Sequence, residues 1–367
     1  MVSSARRPSG PAQEAVEELV AEQLAAGEHL GVQVAARLEG RPVVAVTAGW
    51  LDPARRRPAA ADSLFSLFSC TKGLAALALW RLIERGELRL DGEVLGATVE
   101  QVLSHQAGLH RAPAELDAEL LADLGAGVAW LERQAPAWPA GEAAAYHTVT
   151  FGWLAELLAR RHAGKTLSQL VRDEVAAPLG LTDSLMLGLT PEHGPRAAVV
   201  VERAEARGLR WVDSPGPHPA QEAFPPRFEP DWNDDRLRRC GHGAFGGWAE
   251  ARALAEVFGR VDELVGRQAR TELSALVTDA PDRCLELAVR RGVGVELGGA
   301  DEDGLVGSLG PRLSAFGHGG HGGQVAVADP EVGLSIAVLV NLLPAPEAAA
   351  ERTGRICDLI RGVLGVA

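Results

Sequence analysis

A residue type that this chain almost never uses marks the first candidate for chemistry. Only two lysines, Lys72 and Lys165, stand among its 36 basic residues. Lys72 closes the run Ser69-Cys70-Thr71-Lys72, at the start of an apolar stretch that the spacing predicts to be a helix from about Gly73. Residues i and i+3 share a helix face, so the amine could take the proton of the serine hydroxyl. The alternative is a serine that caps the helix and a lysine that extends into solvent.

The single tyrosine of the chain gives the second candidate, in Tyr146-His147-Thr148. A tyrosine hydroxyl can serve as a general acid or base when nearby cations hold its phenolate. The alternative is an ordinary buried aromatic residue. Because the chain uses Phe and Trp for bulk elsewhere, its one tyrosine favours a chemical role.

A glycine-rich stretch gives the third candidate. It reads Phe316-Gly317-His318-Gly319-Gly320-His321-Gly322-Gly323 and leads directly into a predicted strand. Glycines let a substrate approach the backbone at a sheet edge. The two histidines could instead bind a metal ion, but no third ligand of typical spacing accompanies them. We therefore expect no metal and no cofactor.

The hydrophobic pattern predicts the elements that must position these residues. A 3.6-residue period predicts helices at 11–26, 74–83, 151–161, 167–175, 249–258 and 356–364. Alternation predicts strands at 32–38, 44–46, 293–295, 324–328 and 334–340. The fold class is α/β of the α+β type, with an antiparallel sheet flanked by helices and an inserted, mainly helical lobe. We expect residues 1–88 and 288–367 to form the sheet domain, residues 89–287 the helical lobe, and the active site to lie between them.

The composition excludes several functions. A net charge of −13 argues against a nucleic-acid partner. No run of 18 apolar residues predicts a membrane span, so we expect no membrane partner. The N-terminal arginines have no apolar run behind them, and the four cysteines lack metal-ligand spacing. These observations predict a cytoplasmic protein with reduced thiols.

Together the three motifs resemble the serine β-lactamase superfamily, and within it the branch of class C β-lactamase-like carboxylesterases and transesterases. The stretch at 103–109, Leu-Ser-His-Gln-Ala-Gly-Leu, resembles the family's loop after the first helical segment. The stretch at 178–183, Pro-Leu-Gly-Leu-Thr-Asp, resembles its characteristic turn. Asp329-Pro330 and Asn341, after the glycine-rich stretch, resemble the end of the esterase branch. The resemblance extends from about residue 15 to residue 365.

The resemblance implies a role for each matching position. Ser69 would be the acylated nucleophile, and Lys72 would hold and relay its proton. Tyr146 would be the general base in acylation and the acid toward the leaving group. The backbone N–H groups of Ser69 and His321 would form the oxyanion hole, and His318 stands where peptidases and β-lactamases carry the lysine of a Lys-Thr-Gly motif. The remaining substrate-binding positions would be Thr148, Gly319 and Gly320.

Departures from the family pattern narrow the expected activity. Thr148 stands where many members have Asn, which weakens a contact to substrate. His318 replaces a fixed cation with a titratable group, as in the esterase and acyltransferase branch. Residues 88–99 look short for the family, so we expect an altered rim of the site. We expect the Pro- and Trp-rich loop 211–235 to form a wall of the acyl or acceptor pocket.

The sequence offers two other nucleophiles near Ser69 and two further histidines as candidate site residues. Cys70 would point roughly 100° around the helix from Ser69. Ser66 has no lysine three residues later. His105 and His242 remain open, although lone histidines are more often packed or solvated.

The expected function is a serine acyl-enzyme hydrolase that acts on a small-molecule carboxylic ester. The alternative is an acyltransferase, in which an alcohol or amine accepts the acyl group. A true β-lactamase or a D-amino-acid peptidase is less expected, because those enzymes work outside the cytoplasm. A non-catalytic binding module would be expected to lose Ser69, Lys72 or Tyr146, and all three are present.

Overall fold

The computed structural model describes residues 8–206, 218–225, 228–300, 307 and 309–366. The strands, numbered along the chain, are β1 (Gly31–Leu38), β2 (Arg41–Gly49), β3 (Phe65–Ser66), β4 (Glu93–Val94), β5 (Ala97–Thr98), β6 (Leu185–Leu187), β7 (Val201–Glu202), β8 (Gly247–Ala249), β9 (Glu296–Leu297), β10 (Phe316–Gly320), β11 (Gln324–Asp329), β12 (Leu334–Val340) and β13 (Leu342–Leu343).

The α-helices are α1 (Pro11–Ala25), α2 (Cys70–Glu84), α3 (Val99–Leu103), α4 (Ala118–Ala122), α5 (Leu124–Leu131), α6 (Thr150–Ala163), α7 (Leu167–Val171), α8 (Pro219–Ala223), α9 (Asp235–Arg239), α10 (Ala251–Gly259), α11 (Val261–Leu273) and α12 (Pro346–Leu364). No helix in the described part of the chain is both long enough and apolar enough to cross a bilayer.

One six-stranded antiparallel sheet joins the two ends of the chain. Its order is β2-β1-β12-β11-β10-β9. The first strand therefore lies beside a strand near the C-terminus, with Val32 opposite Val340 and Leu38 opposite Leu334. This sheet, with helices on both of its faces, confirms the predicted fold class.

Alternation along the strands separates two cores. One sheet face packs against α1 and α12 through Val32, Val34, Val325, Val327, Ile336 and Val338. The other face packs against α10 and α2 through Ala35, Ala326, Ala328, Ala337 and Leu339. Successive side chains of a strand point to opposite faces, so a β-branched residue alternating with a small one fits a helix against each face.

Helix α2 forms the centre of the larger core. Residues 70–80 and Leu82 are all buried, and α6, α7 and α11 surround the helix together with β10. A helix that is apolar all round is stable only inside a protein. Any polar side chain on its first turn therefore enters the interior, which is where the sequence places Lys72.

The middle of the chain is mainly helical but also contributes short strands. β8 pairs with both β3 and β6, and β7 runs parallel to β13. These pairings attach the middle of the chain to the segments that precede α2 and follow β12. The predicted domain boundaries, 1–88 with 288–367 and 89–287, stay a prediction.

Several predicted elements differ from the structure. A π-helical turn, Arg172–Ala176, follows α7 within the helix predicted at 167–175, and Ala249 lies in β8 rather than in the helix that follows it. Helix α2 begins at Cys70, because the turn before it, and not the apolar pattern, sets its start. The strand predicted at 293–295 lies outside β9, which begins at Glu296, and the backbone carbonyl of Val293 instead accepts from Trp80 Nε1 at 3.0 Å. In the predicted loop 211–235, residues 211–217 and 226–227 lie outside the described residues, and the rest includes α8 and the start of α9.

Replacing Gly152 by Ala should destabilise the protein. Gly152 lies inside α6, and a Cβ there would lie 2.8 Å from the backbone nitrogen of Ala244 and against the His242 ring. Overpacking of this kind costs about 1–3 kcal/mol. The control is Gly354→Ala in α12, where a Cβ would meet nothing within 4 Å and should stabilise the helix by roughly 0.5–1 kcal/mol. Urea unfolding of both variants measures the difference, and equal midpoints would contradict the packing argument.

Candidate active site

The Ser69 hydroxyl lies at the start of α2 and does not cap it. Ser69 is the N-cap residue, but its side chain accepts no bond from the helix backbone. Lys72 Nζ lies 3.3 Å from Ser69 Oγ. The preceding residue, Phe68, has a φ of 44°, a left-handed conformation that is strained for an aromatic residue. The structure thus excludes helix capping as the role of this serine.

The Lys72 side chain is buried rather than extended into solvent. It is 1% exposed, and Nζ donates to the backbone carbonyls of Ala244 at 3.2 Å and Thr148 at 3.4 Å. Burial lowers the pKa of Lys72 from 10.5 to about 7, and the carboxylate of Glu296 partly opposes this change. A substantial fraction of the amine is therefore neutral near pH 7 and able to accept a proton.

Tyr146 lies beside Lys72 and Ser69. Lys72 Nζ lies 4.6 Å from the centre of the Tyr146 ring, and the Ser69 and Tyr146 side chains line the same cleft. Burial raises the pKa of Tyr146 above its usual value, with a further contribution from Glu296, and the Ser69 hydroxyl, as a donor to the phenolate, opposes the increase only in part. The tyrosine therefore carries its proton at neutral pH.

A buried ion pair supports the backbone of Tyr146. Tyr146 N donates to Asp282 Oδ1 at 3.1 Å, and Arg291 Nη1 lies 2.8 Å from Asp282 Oδ2. Both side chains of the pair are at most 2% exposed. The sequence analysis missed this pair, because 136 residues separate Asp282 from Tyr146 and no local pattern connects them.

His105, left open by the sequence, belongs to the same support. Its ring centre lies 4.8 Å from that of Tyr146, and its Nδ1 accepts from the backbone nitrogen of His147 at 3.0 Å. Its own carbonyl accepts from Ala145 N at 3.0 Å. Burial keeps the pKa of His105 well below its usual value, so the ring stays neutral. His105 therefore holds the 145–147 segment in place.

The end of β10 that extends beyond its pairing with β9 supplies the opposite wall. His318 is 3% exposed, and its Nδ1 donates to the Gly319 carbonyl at 2.6 Å. Burial lowers the pKa of His318, and Glu296, with Oε2 3.9 Å from Nδ1, opposes this only partly. The same Glu296 oxygen accepts from Gly319 N at 3.2 Å. Glu296 thus contacts the wall on which three predicted site residues lie, and the sequence analysis did not identify it.

Two backbone N–H groups at the site remain available. Within the described residues, the N–H groups of Ser69 and His321 donate to no protein acceptor. Glycine at 320 permits the close approach of this edge, because a Cβ there would lie 2.7 Å from the Leu67 carbonyl. Free N–H groups of this kind can stabilise an oxyanion.

One cleft of about 640 Å³ brings the predicted residues together. Ser69 and Tyr146 lie at its floor, Lys72 lies beneath them, and the remaining predicted residues on its walls are Thr148, His318, Gly319, Gly320 and His321. The described part of the 211–235 loop contributes a wall, as expected, with Phe224, Phe228 and Trp232. The apolar lining suits an organic substrate held beside the serine.

The alternative nucleophiles have other contacts. Cys70 Sγ donates to the His318 carbonyl at 3.0 Å, and burial raises the pKa of its thiol above the usual value. Ser66 lies in β3, opposite Trp248. His242 stacks on Phe245 with ring centres 4.3 Å apart. The described residues contain no group of three or more His, Cys, Asp or Glu side chains arranged to hold a metal ion.

The antiparallel sheet, its flanking helices and the buried central helix define a β-lactamase/transpeptidase-like fold. The chain belongs to the beta-lactamase family, whose profile matches residues 16–359. The resemblance that the motifs showed is therefore confirmed.

Three known proteins illustrate the relationship. The esterase/beta-lactamase LipL of Mycobacterium tuberculosis (strain ATCC 25618 / H37Rv) is 31% identical over 371 residues, which cover 88% of this chain and 80% of LipL. A penicillin-binding protein homologue from Caulobacter crescentus is 31% identical with a TM-score of 0.85, over 97% of this chain and 98% of its own. A family VIII carboxylesterase is 25% identical with a TM-score of 0.82, over 96% of this chain and 99% of its own.

Removing the charge of Glu296 should shift the pH dependence of the rate at which Ser69 is covalently labelled. Glu296 raises the pKa of Lys72, so Glu296→Gln should lower it below about 7. The neutral amine then persists at lower pH, and the acidic limb of the rate of covalent labelling should shift to lower pH. The amide oxygen of glutamine can still accept from Gly319 N, which preserves the local structure.

The measurement is the rate of labelling by a fluorophosphonate probe between pH 5 and 9. Glu205→Gln is the control, because Glu205 pairs with Arg203 outside the cleft and carries the same charge change. A shift to higher pH in Glu296→Gln, or an equal shift in the control, would contradict the assignment.

Proposed function

We propose that this protein is a carboxylesterase that works through an acyl-enzyme on Ser69. The observation that carries the proposal is the 3.3 Å contact between the Ser69 hydroxyl and a buried amine whose pKa is about 7. A serine hydroxyl that does not cap its helix and lies beside a partly neutral amine is an activated nucleophile. The esterase named among the relatives, LipL, supports an ester as substrate.

The pKa shifts of Lys72 and Tyr146 favour different roles for the two residues. The resemblance assigned the general base in acylation to Tyr146. Since burial keeps the tyrosine protonated, we propose that neutral Lys72 takes the Ser69 proton as Oγ attacks the ester carbonyl. Tyr146 then gives its proton to the departing alkoxide, and the Lys72 ammonium returns one to Tyr146. The N–H groups of Ser69 and His321 would stabilise the oxyanion.

Water or a second molecule then removes the acyl group. In the hydrolase, neutral Lys72 takes one proton of the attacking water. As the bond between the acyl carbon and Ser69 Oγ breaks, Tyr146 gives its proton to Oγ and the Lys72 ammonium returns one to Tyr146, so that a carboxylic acid is released. A cleft of about 640 Å³ also has room for an alcohol or amine beside the acyl group, which supports acyl transfer as the second candidate. We further propose a cytoplasmic protein with small-molecule substrates and without nucleic-acid or membrane partners, supported by the acidic net charge and four free cysteines.

Intact-mass measurement with p-nitrophenyl butyrate tests the acyl-serine. A mass increase of one butyryl group should appear in the wild type and be absent in Ser69→Ala. Ser66→Ala is the control, because Ser66 lies nearby in β3 but away from the cleft, and it should be acylated normally. Acylation of Ser69→Ala at the wild-type rate would refute the proposal. Adding an amine or alcohol separates hydrolysis from acyl transfer by the product formed.

Lys72→Ala and Tyr146→Phe should each slow acylation by roughly 10²–10⁴-fold. Because both act on one proton, the double variant should be little slower than either single variant. Lys165→Ala is the matched control, since this second lysine pairs with Asp173 at the surface and should have no effect. Full additivity in stopped-flow acylation rates would point to a different base.

Carboxylate-bearing β-lactams should be poor substrates. They need a cation, and burial lowers the pKa of His318, so this position is neutral near pH 7. We expect kcat/KM for p-nitrophenyl butyrate to exceed that for nitrocefin by a wide margin. His318→Lys should raise nitrocefin acylation more than ester acylation, because Glu296 lies close enough to hold the new ammonium. Nitrocefin turnover by the wild type at or above the ester rate would overturn this expectation.

A further inference from the structure

The charged side chains on the described lining of the cleft all have the same sign. They are Glu202, Glu229, Asp231 and Glu296. No Lys or Arg side chain lies on the part of the lining that the structure describes. Lys72 and Arg291 are close to Tyr146 but are buried beneath or behind it. At the described lining, a substrate therefore contacts carboxylates directly, and the two cations near Tyr146 lie beneath that lining.

Glu202 is a carboxylate of the lining that lies on a strand and close to a residue of the opposite wall. It lies in β7, which pairs with β13 through Val201 opposite Leu342 and Glu202 opposite Leu343. Its Oε1 lies 3.5 Å from His321 Nε2, and its side chain is 20% exposed. A partly desolvated charge on a fixed strand acts more strongly on a nearby ligand than a mobile surface charge does.

Aromatic rings form the wall between Glu202 and the serine. Phe68, directly before Ser69, has its ring centre 5.2 Å from that of Trp232 and 5.4 Å from that of His321, both edge to face. The loop that carries Trp232 is held by Asn233, which exchanges two hydrogen bonds with the backbone of Val200. Aromatic faces attract organic cations, and the attraction grows where water is excluded.

We propose that the cleft selects esters that carry an organic cation, such as a quaternary or primary ammonium, and rejects esters that carry a carboxylate. This inference rests on the acyl-serine function proposed above. The ammonium would lie against the half-buried Trp232 ring, close to Glu202, while the ester carbonyl lies at Ser69. The net charge of −13 would also attract cationic substrates at long range.

Three p-nitrophenyl esters of equal acyl length test this preference. Their acyl chains end in trimethylammonium, tert-butyl or carboxylate. The ammonium and neutral groups have nearly the same shape, and all three esters share one leaving group. We expect kcat/KM for the ammonium ester to exceed that of the neutral ester at least tenfold, and the carboxylate ester to fall at least tenfold below it. Both differences should shrink as salt increases, because salt screens charges.

Two carboxylate variants locate the effect. Glu202→Gln should reduce the ratio of ammonium to neutral ester severalfold. Glu205→Gln changes the net charge equally, but Glu205 is 55% exposed, pairs with Arg203 and lies outside the cleft, so the ratio should stay unchanged. An equal loss in both variants would show a long-range charge effect and overturn the role of Glu202.

A binding measurement separates this inference from the proposed function. Titration calorimetry on Ser69→Ala compares the affinities of the ammonium and neutral esters without turnover. Hydrolysis of all three esters at similar rates would overturn the charge preference and leave the esterase intact. If the wild type cleaves none of them, the esterase proposal fails. Preferential binding of the ammonium ester to Ser69→Ala would then still support the cation site, and equal binding would overturn it.

Discussion

The site depends on the burial of one amine. Lys72 belongs to the first turn of a helix that is surrounded by other elements, so its side chain has no route to solvent. Removing an ammonium from water is costly, and the side chain responds by losing affinity for its proton. The same amine donates to the carbonyls of Thr148 and Ala244, which belong to two different loops. Its burial therefore sets both the basicity beside Ser69 and the position of the loops around it.

The charges near Lys72 act in opposite directions. Arg291 lowers the pKa of Lys72 further, while Glu296 raises it. Arg291 is fixed by Asp282, which also holds the backbone of Tyr146, so the cation cannot be removed without disturbing the tyrosine. Glu296 is attached to the β10 edge through Gly319 N. Burial thus sets most of the shift of the Lys72 pKa to about 7, while Glu296 raises this pKa and Arg291 lowers it.

The sequence predicted those site residues whose types are rare in this chain. It missed those that are brought to the site only by folding. Lys72 and Tyr146 were found because the chain hardly uses their types elsewhere. The sheet was found because its strands alternate cleanly between branched and small residues. Glu296, by contrast, is one acidic residue among 49, and its contact with Gly319 spans 23 positions. The start of α2 was placed too late, because it depends on the left-handed turn at Phe68 rather than on apolar spacing.

Glu296 affects both the pKa of Lys72 and the charge of the cleft. Without a carboxylate near Lys72, burial and Arg291 together would lower the pKa of the amine further and weaken it as a base. A lysine at position 318 would neutralise the charge of Glu296, whereas a neutral histidine leaves the charge of Glu296 unbalanced. The carboxylate that keeps the amine basic therefore also gives the cleft a negative potential. On this argument, a site that uses His318 in place of a fixed cation is better suited to neutral or cationic esters than to carboxylates.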